Sequence, residues 1–329
     1  MFEGIDSIKV GTTGIGAAYV GTTLVYSGGT QPIDYSTKYF TTRSLADNNT
    51  ITLTIPSGLS TSNLARMSYS TDDGNTWTTV NNVNNSVVTV SVSGLSSGDT
   101  LLWKGSGVRM NHKQDKKEAS SVFSSTGNYE VEGNLMSLTL EDSFSATTSY
   151  TINSYHFDCL FHSSEFLVSA KNLIMPDKTN NHSMSRMFQS CTTLTTPPDV
   201  LPAETMSDQC YRCMFRLCSG LTSAPVLCAT TMASTCFENM FDGCNSLTKA
   251  PDLLASNINV FGCYSYMLIN CPNLNYIKCL SNAGNNPNNA TNQWVTNVAA
   301  NGTFVKKAGV SWSTGINGIP SGWTVVEEP

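Results

Sequence analysis

A repeating unit of 26 or 27 residues is the feature that most constrains how this chain folds. The dipeptide Met187-Phe188 recurs as Met214-Phe215 and Met240-Phe241, at steps of 27 and then 26 residues. A constant period in this range is typical of arrays in which each unit packs its apolar residues against its neighbours. The predicted core of the repeat contains Phe188, Cys191, Leu194, Phe215, Cys218, Leu221, Phe241, Cys244, Leu247, Cys271 and Leu274.

Inside each unit, the spacing of apolar residues predicts a short helix. Cys210, Tyr211, Met214, Phe215 and Cys218 occupy positions i, i+1, i+4, i+5 and i+8, which form one face of a helix. The segment around the leucine that follows is predicted to be extended, and a proline ends it. Residues 155–280 are therefore predicted to form an α/β solenoid of these repeats, and residues 281–329 its C-terminal cap.

The preceding part of the chain is predicted to be all-β. Apolar and polar residues alternate over 50–55 and 88–92, which is typical of half-buried strands, and 101–103 reads as another strand. Residues 31–108 are predicted to form a β-sandwich, and residues 109–154 a β connector with the N-terminal cap of the solenoid. The Val-Gly-Thr-Thr repeat within residues 1–30 predicts a β-hairpin that is too small to fold alone, and therefore an attachment or oligomerisation segment. The predicted fold class is multidomain, with these all-β parts preceding the solenoid.

Composition excludes several functional classes. The chain has 329 residues, 18 basic and 24 acidic, and contains 41 serines, 39 threonines and 31 asparagines. It has no basic stripe, because the cations at Lys113, Lys116 and Lys117 are diluted by acidic neighbours, so no nucleic-acid partner is predicted. No apolar run reaches the roughly 18 residues that a membrane span needs, so no membrane insertion is predicted. The N-terminus lacks the basic and apolar regions of a secretory signal.

The 11 cysteines are predicted to be buried free thiols that recur with the repeat. Cys210, Cys213 and Cys218 have the spacing closest to a zinc site, but Asn239 and Tyr266 replace Cys213 in the next two units. No metal and no cofactor are predicted. The nearby His156, Cys159 and His162 are interpreted as part of a degenerate first repeat.

No catalytic motif stands out, and no enzyme activity is predicted. Nucleophile-elbow, phosphate-loop and H-E-x-x-H patterns are absent from the sequence. Glu141 and Asp142 are adjacent, so on a strand they would point to opposite faces; carboxylates from distant segments remain an open alternative. Ser70–Trp77 resembles the Asp-box of sialidases, which predicts a hairpin turn in which Asp72 caps backbone amides. The alternative for Trp77 is a sugar-stacking role.

The repeat units resemble a known family. MFQSCTTLTTPP, MFRLCSGLTSAP and MFDGCNSLTKAP are similar to the bacterial surface protein (BspA-like) leucine-rich repeats. NQWVTNVAANGTFVKK and GINGIPSGWTVVEE resemble the C-terminal cap of such proteins in Bacteroides-type gut bacteria and their phages. VFSSTGNYEVEGNLMSLTL resembles the segment that leads into the array. IKVGTTGIGAAYVGTTLVYSGG resembles the N-terminus of virion proteins from gut bacteriophages.

This resemblance implies adhesion or recognition, with no chemistry. The expected function is that of a phage tail or head fibre protein, assembled in the host cytoplasm and located on the virion. The chain is expected to associate with further copies of itself, as a trimer. It is also expected to bind other virion proteins through residues 1–30, and a bacterial envelope glycan or surface protein as its receptor. The alternatives are a bacterial cell-surface adhesin of the same family and a virion-borne glycan depolymerase.

Receptor-binding residues are predicted beside the repeat leucines, where aligned units would place small polar side chains in outward columns. The same residues would occur on any solvated sheet, which is the alternative interpretation. The predicted set is Thr193, Thr195, Thr222, Ser246, Thr248, Asn273 and Asn275.

Overall fold

The computed structural model describes residues 17–20, 23–27, 34–55, 66–80, 87–106, 122–145 and 150–329. Strands β1 (Ala17–Val20) and β2 (Thr23–Ser27) pair antiparallel as a hairpin. The rest of the predicted attachment segment 1–30 lies outside the described residues, as do Lys113, Lys116 and Lys117.

Two sheets form the part of the chain before the repeats. The strands predicted at 50–55, 88–92 and 101–103 are present in β4 (Asn49–Ile55), β7 (Val88–Leu95) and β8 (Thr100–Ser106). The strands are β3 (Phe40–Ser44), β4 (Asn49–Ile55), β5 (Arg66–Ser70), β6 (Thr78–Val80), β7 (Val88–Leu95), β8 (Thr100–Ser106), β9 (Val122–Ser125), β10 (Tyr129–Asn134), β11 (Leu167–Ser169) and β12 (Leu173–Ile174). One sheet has the order β11-β10-β3-β8-β5-β6, with β12 also paired to β10, and the other has the order β7-β4-β9.

Aromatic residues join the two sheets. The Phe123 ring of β9 lies 5.1 Å from the Phe40 ring and 5.2 Å from the Trp103 ring, both on the larger sheet. All three residues are fully buried. Large aromatic side chains contribute much of the burial energy of a small core, so these contacts hold the two sheets together.

The sheet continues directly into the repeats. β10 runs antiparallel to β3 on one side and parallel to β11 and β12 on the other. Because β11 and β12 lie beyond residue 155, the first repeat unit extends the sheet of the preceding region.

The prediction of an α/β leucine-rich-repeat solenoid is wrong, because the repeats contain no helices. Among the described residues the only α-helix is α1 (Ser137–Leu140), which lies before the repeats. In the unit predicted as helical, Gln209, Cys213 and Leu217 have φ angles of 56°, 56° and 61°. A right-handed helix needs φ near −60° at every residue, so a left-handed residue at every fourth position excludes it.

Overlapping turns replace the predicted helices. Met214 N donates to Tyr211 O within the unit (3.2 Å), whereas the next residue, Phe215, donates its N–H to Met240 O of the following unit (2.9 Å). This alternation repeats along the unit and from unit to unit. Successive backbone N–H groups therefore alternate between closing a turn within their own unit and binding a carbonyl of the following unit. We call residues 155–163, 182–190, 209–217, 235–243 and 262–270 the turn ladder.

The turn ladder also explains why the sequence resembles a helix. Its conformation repeats every four residues, so side chains at i, i+4 and i+8 share a face, as they nearly do on a helix of 3.6 residues per turn. The inward column stacks Phe161, Phe188, Phe215 and Phe241 at centroid distances of 5.1, 5.3 and 5.6 Å.

Short parallel strands form in the middle of the array and at its C-terminal end. β13 (Val200–Leu201) pairs with β14 (Val226–Leu227), and β15 (Tyr276–Cys279), β16 (Thr303–Lys307) and β17 (Thr324–Glu328) form a parallel sheet. Trp294 closes the core at the last unit, where its Nε1 donates to Gly318 O (2.9 Å).

Asparagine is common partly because the turns require left-handed residues. Asn285, Asn286, Asn288 and Asn289 all have positive φ in the turn after β15. Asparagine tolerates this region better than other residues with a side chain beyond Cβ. The Asn-rich composition therefore reflects backbone geometry as well as solubility.

We expect Ser190→Gly to raise the free energy of unfolding by about 0.5–1 kcal/mol, because Ser190 has φ = 63° and only glycine adopts that angle without cost. The equivalent position in a later unit is already glycine, Gly243. The control is Ser223→Gly, at an exposed serine without positive φ. It should lower stability by a similar amount. Urea unfolding of both variants checks the prediction, and a loss in both would contradict it.

Candidate binding surface

The predicted receptor-binding residues lie in two columns beside the repeat leucines. In the first column, Thr195 is half-buried, and Thr222, Thr248 and Asn275 are exposed. Backbone bonds run along the column, from Thr222 N to Thr195 O (3.1 Å) and from Asn275 N to Thr248 O (2.9 Å). The column therefore presents polar side chains one unit apart on a hydrogen-bonded frame.

Several donors of these columns already bind the preceding unit. Thr193 Oγ1 donates to Glu165 O (2.7 Å), and Thr222 Oγ1 donates to Thr195 O (3.1 Å). In the second column, Asn273 Nδ2 donates to Asn245 O (2.8 Å), and Ser246 is half-buried. These bonds use the hydroxyl and amide protons of these residues, so a ligand would meet mainly hydrogen-bond acceptors there.

A gap in the second column has a steric cause. Gly220 occupies the place of Thr193 one unit later, and a Cβ there would lie 2.6 Å from Thr192 O. Gly220 N donates to the same oxygen (3.1 Å). A side chain at Gly220 would crowd this oxygen, so the surface has a notch at the third unit.

Behind the columns, a row of thiols links the units. The Sγ atoms of Cys191, Cys218, Cys244 and Cys271 lie 2.9, 3.0, 3.1 and 3.0 Å from the carbonyl oxygens of Phe161, Phe188, Phe215 and Phe241. All four cysteines are fully buried. Burial raises the pKa of the Cys191 and Cys271 thiols to about 12, so they stay protonated and act as donors.

We expect Cys218→Ser to retain most of the stability, because a hydroxyl replaces the thiol as donor to Phe188 O. Cys218→Ala should lower the free energy of unfolding by about 0.5–1.5 kcal/mol, because Phe188 O loses this bond and keeps only the one from Cys191 N. Thermal unfolding of the two variants provides the measurement. A larger loss for serine than for alanine would show that the thiol acts only as an apolar filler.

The other cysteines and histidines make separate local contacts. Cys210 Sγ lies 3.7 Å from Met206 Sδ, whereas Cys218 Sγ bonds to a carbonyl. The His156 ring packs against Phe157 at 4.6 Å, and His162 Nδ1 lies 2.7 Å from Ser163 Oγ. Within the described ranges, no three side chains of histidine, cysteine, aspartate or glutamate converge as a metal site.

Ion pairs between units lie on the turn ladder, and the sequence reasoning missed them. Arg212 Nε lies 2.6 Å from Glu238, and Arg216 Nε lies 2.8 Å from Asp242. Asn270 Nδ2 extends this row by donating to Asp242 Oδ1 (3.0 Å). Opposite charges recur 26 residues apart in both pairs, and this spacing was the available signal.

The prediction for the Asp-box motif is confirmed. It forms the turn between β5 and β6, where Asp72 Oδ1 accepts from Thr76 N (2.9 Å). Trp77 packs on this hairpin, with Lys104 Nζ 4.2 Å from its ring centroid and the Tyr39 ring at 4.9 Å. These contacts give Trp77 a structural role in holding the hairpin against β8.

Glu141 and Asp142 begin a short 3-10 helix, Glu141–Ser143. Glu141 accepts two bonds from Arg66 (3.0 and 2.8 Å), whereas Asp142 accepts from Lys104 (2.7 Å) and Tyr39 (2.7 Å). The bonds from Lys104 and Tyr39 hold the pKa of Asp142 below its usual value. Each carboxylate therefore belongs to its own ion pair.

No protein-family model, curated protein or solved structure matches this chain. In the described part of the chain, no helix has the length and apolar character to cross a membrane.

Proposed function

We propose that this protein is a fibre component of a bacteriophage virion that recognises the bacterial surface through residues 155–280. The observation that carries the proposal is the pair of polar columns on a frame fixed by hydrogen bonds between units. Thr222, Thr248 and Asn275 expose hydroxyl and amide groups one repeat apart. Ligand hydroxyls can donate to these acceptors, so an envelope glycan is the favoured receptor, with a surface protein as the alternative.

A fixed surface suits weak multivalent recognition. Hydrogen bonds between units order the columns before a ligand arrives, which lowers the entropy that binding has to overcome. Several copies on one particle would then multiply weak single contacts. The proposed trimer and the attachment through residues 1–30 supply this multiplicity, and enzyme activity is not part of the proposal.

Immunogold electron microscopy with an antibody against residues 155–329 tests the location. Phage particles and intact host cells are labelled side by side. Gold at a regular position on the particles supports the virion assignment and shows whether head or tail carries the protein. Gold on the cell envelope with unlabelled particles would instead support the bacterial adhesin of the same repeat type.

A binding assay with surface variants tests the recognition. Thr248→Arg places a long side chain on the exposed column and should reduce binding of the full chain to host cells at least about tenfold. Ser256→Arg, at an exposed residue away from the columns, is the matched control and should bind as the unmodified protein does. Equal binding by both variants would refute the columns as the receptor site. Loss of envelope polysaccharide during incubation would favour the depolymerase.

A further inference from the structure

The last strand of the chain has an exposed edge. β17 pairs with β16 on one side, and no other strand in the described part of the chain pairs with its other side. Val325 and Val326 are 44% and 43% exposed, although they alternate to opposite faces of the sheet. Both faces at this edge are therefore apolar and open.

The backbone shows which groups point outward. Thr324 N donates to Gly302 O (2.8 Å), and Glu328 O accepts from Ala308 N (2.7 Å), so both residues direct their polar groups toward β16. Strand periodicity gives Val326 the same direction. Val325 and Glu327 therefore direct their N–H and C=O groups away from β16.

The charges on β17 are balanced within the sheet. Lys306 pairs with Glu327, and Lys278 Nζ lies 2.8 Å from Glu328. Charged side chains commonly protect an edge strand from further pairing. Here the cross-strand lysines neutralise both glutamates, so this protection is weak.

We propose that β17 pairs antiparallel with β17 of a second copy of this chain, in a register centred on Val326. Val325 and Glu327 then exchange hydrogen bonds across the interface, and Val326 faces its own equivalent as a non-hydrogen-bonded pair. Glu327 lies opposite Val325 of the second copy, and Glu328 opposite Thr324. A parallel, in-register pairing would instead place each glutamate opposite itself, which is unfavourable.

Cysteine cross-linking of the full chain tests this register. Val326→Cys should give a disulfide-linked dimer under mild oxidation, because facing residues of a non-hydrogen-bonded pair have Cα atoms about 4.5 Å apart. Val325→Cys is the matched control, since it is equally exposed but lies diagonal to its own equivalent, about 7–8 Å away. Absence of the Val326→Cys dimer, or equal cross-linking of both variants, would overturn the proposal.

A proline variant tests the hydrogen bonds independently. Val325→Pro removes an outward N–H and leaves the bonds to β16 intact, so the chain should fold and melt as before. Self-association measured by sedimentation should weaken about tenfold or more, because one donor is lost on each side of the interface. Association as tight as that of the unmodified chain would refute pairing through this edge. Residues 1–30 are unchanged in every variant, so a difference in association between variants comes from β17.

Discussion

Phe215→Ala is expected to lower the free energy of unfolding by about 3–5 kcal/mol, the loss typical of removing a fully buried phenylalanine. Phe215 is the central ring of the inward stack, with Phe188 at 5.3 Å and Phe241 at 5.6 Å. Its carbonyl also accepts from Cys244 Sγ (3.1 Å). The alanine would leave a cavity in the middle of the array, where local unfolding of an end unit cannot remove it.

Two control variants separate this effect from a general loss of hydrophobicity. Phe261→Ala removes a phenylalanine that is 53% exposed, and it should change stability by less than about 1 kcal/mol. Phe215→Leu should cost about 1–1.5 kcal/mol, because Leu268 occupies the equivalent place in the last unit. Urea unfolding gives all three values. Similar losses for Phe215→Ala and Phe261→Ala would contradict the stack as the centre of stability.

The repeat period and its buried positions could be predicted from sequence because they depend only on which residues recur. Phe188, Cys218 and Leu247 are fully buried, at the places where the period put them. The local conformation could not be predicted in the same way. A helix and a ladder of four-residue turns both bring residues four apart to one face, so apolar spacing alone does not distinguish them.

The residues with positive φ in each repeat unit indicate turns and not a helix. Asn239 and Gly243 are four apart in one unit, and Gly262 and Asn270 are eight apart in the next, all with positive φ. These residues are unfavourable inside helices and favourable in left-handed turns. Their positions in the repeat therefore favour four-residue turns over the helix that the apolar spacing predicts.

The binding surface was less accessible to sequence reasoning. The columns of Thr195 and Thr222 follow from the period, but their donors serve the neighbouring unit. Such bonds depend on the exact stacking of backbones, which residue types do not specify. The ion pairs of the turn ladder were predictable in principle, since their charges recur with the repeat.

Arg186→Gln is expected to lower the free energy of unfolding by about 3–5 kcal/mol at pH 7, because it leaves a buried carboxylate without its counter-ion. Asp158 has no exposed side-chain surface, and Arg186 donates to it through two nitrogens at 3.1 and 2.6 Å. The matched control is Arg212→Gln, whose pair with Glu238 is partly exposed. It should cost less than about 1 kcal/mol.

The loss in Arg186→Gln should shrink on acidification. Burial raises the pKa of Asp158 above its usual value even beside Arg186, and without that cation burial is opposed only by the weaker effects of the Cys159 thiol and Arg212. The native state then binds a proton more tightly than the unfolded chain, whose aspartate pKa is about 3.9. The stabilisation that the Asp158 carboxyl contributes in this variant is therefore complete below the unfolded-state pKa, and it is lost as the pH rises through the native-state pKa.

Asp158→Asn in the Arg186→Gln background completes the test, because it removes the buried charge itself. The double variant should recover most of the lost stability and lose its difference between pH 7 and pH 5. Urea unfolding of the unmodified protein, both single variants (Arg186→Gln and Asp158→Asn) and the double variant at both pH values measures the coupling between the two side chains. If the Arg186→Gln loss is the same at both pH values and persists in the double variant, the guanidinium stabilises the first two units by packing, and its charge is irrelevant.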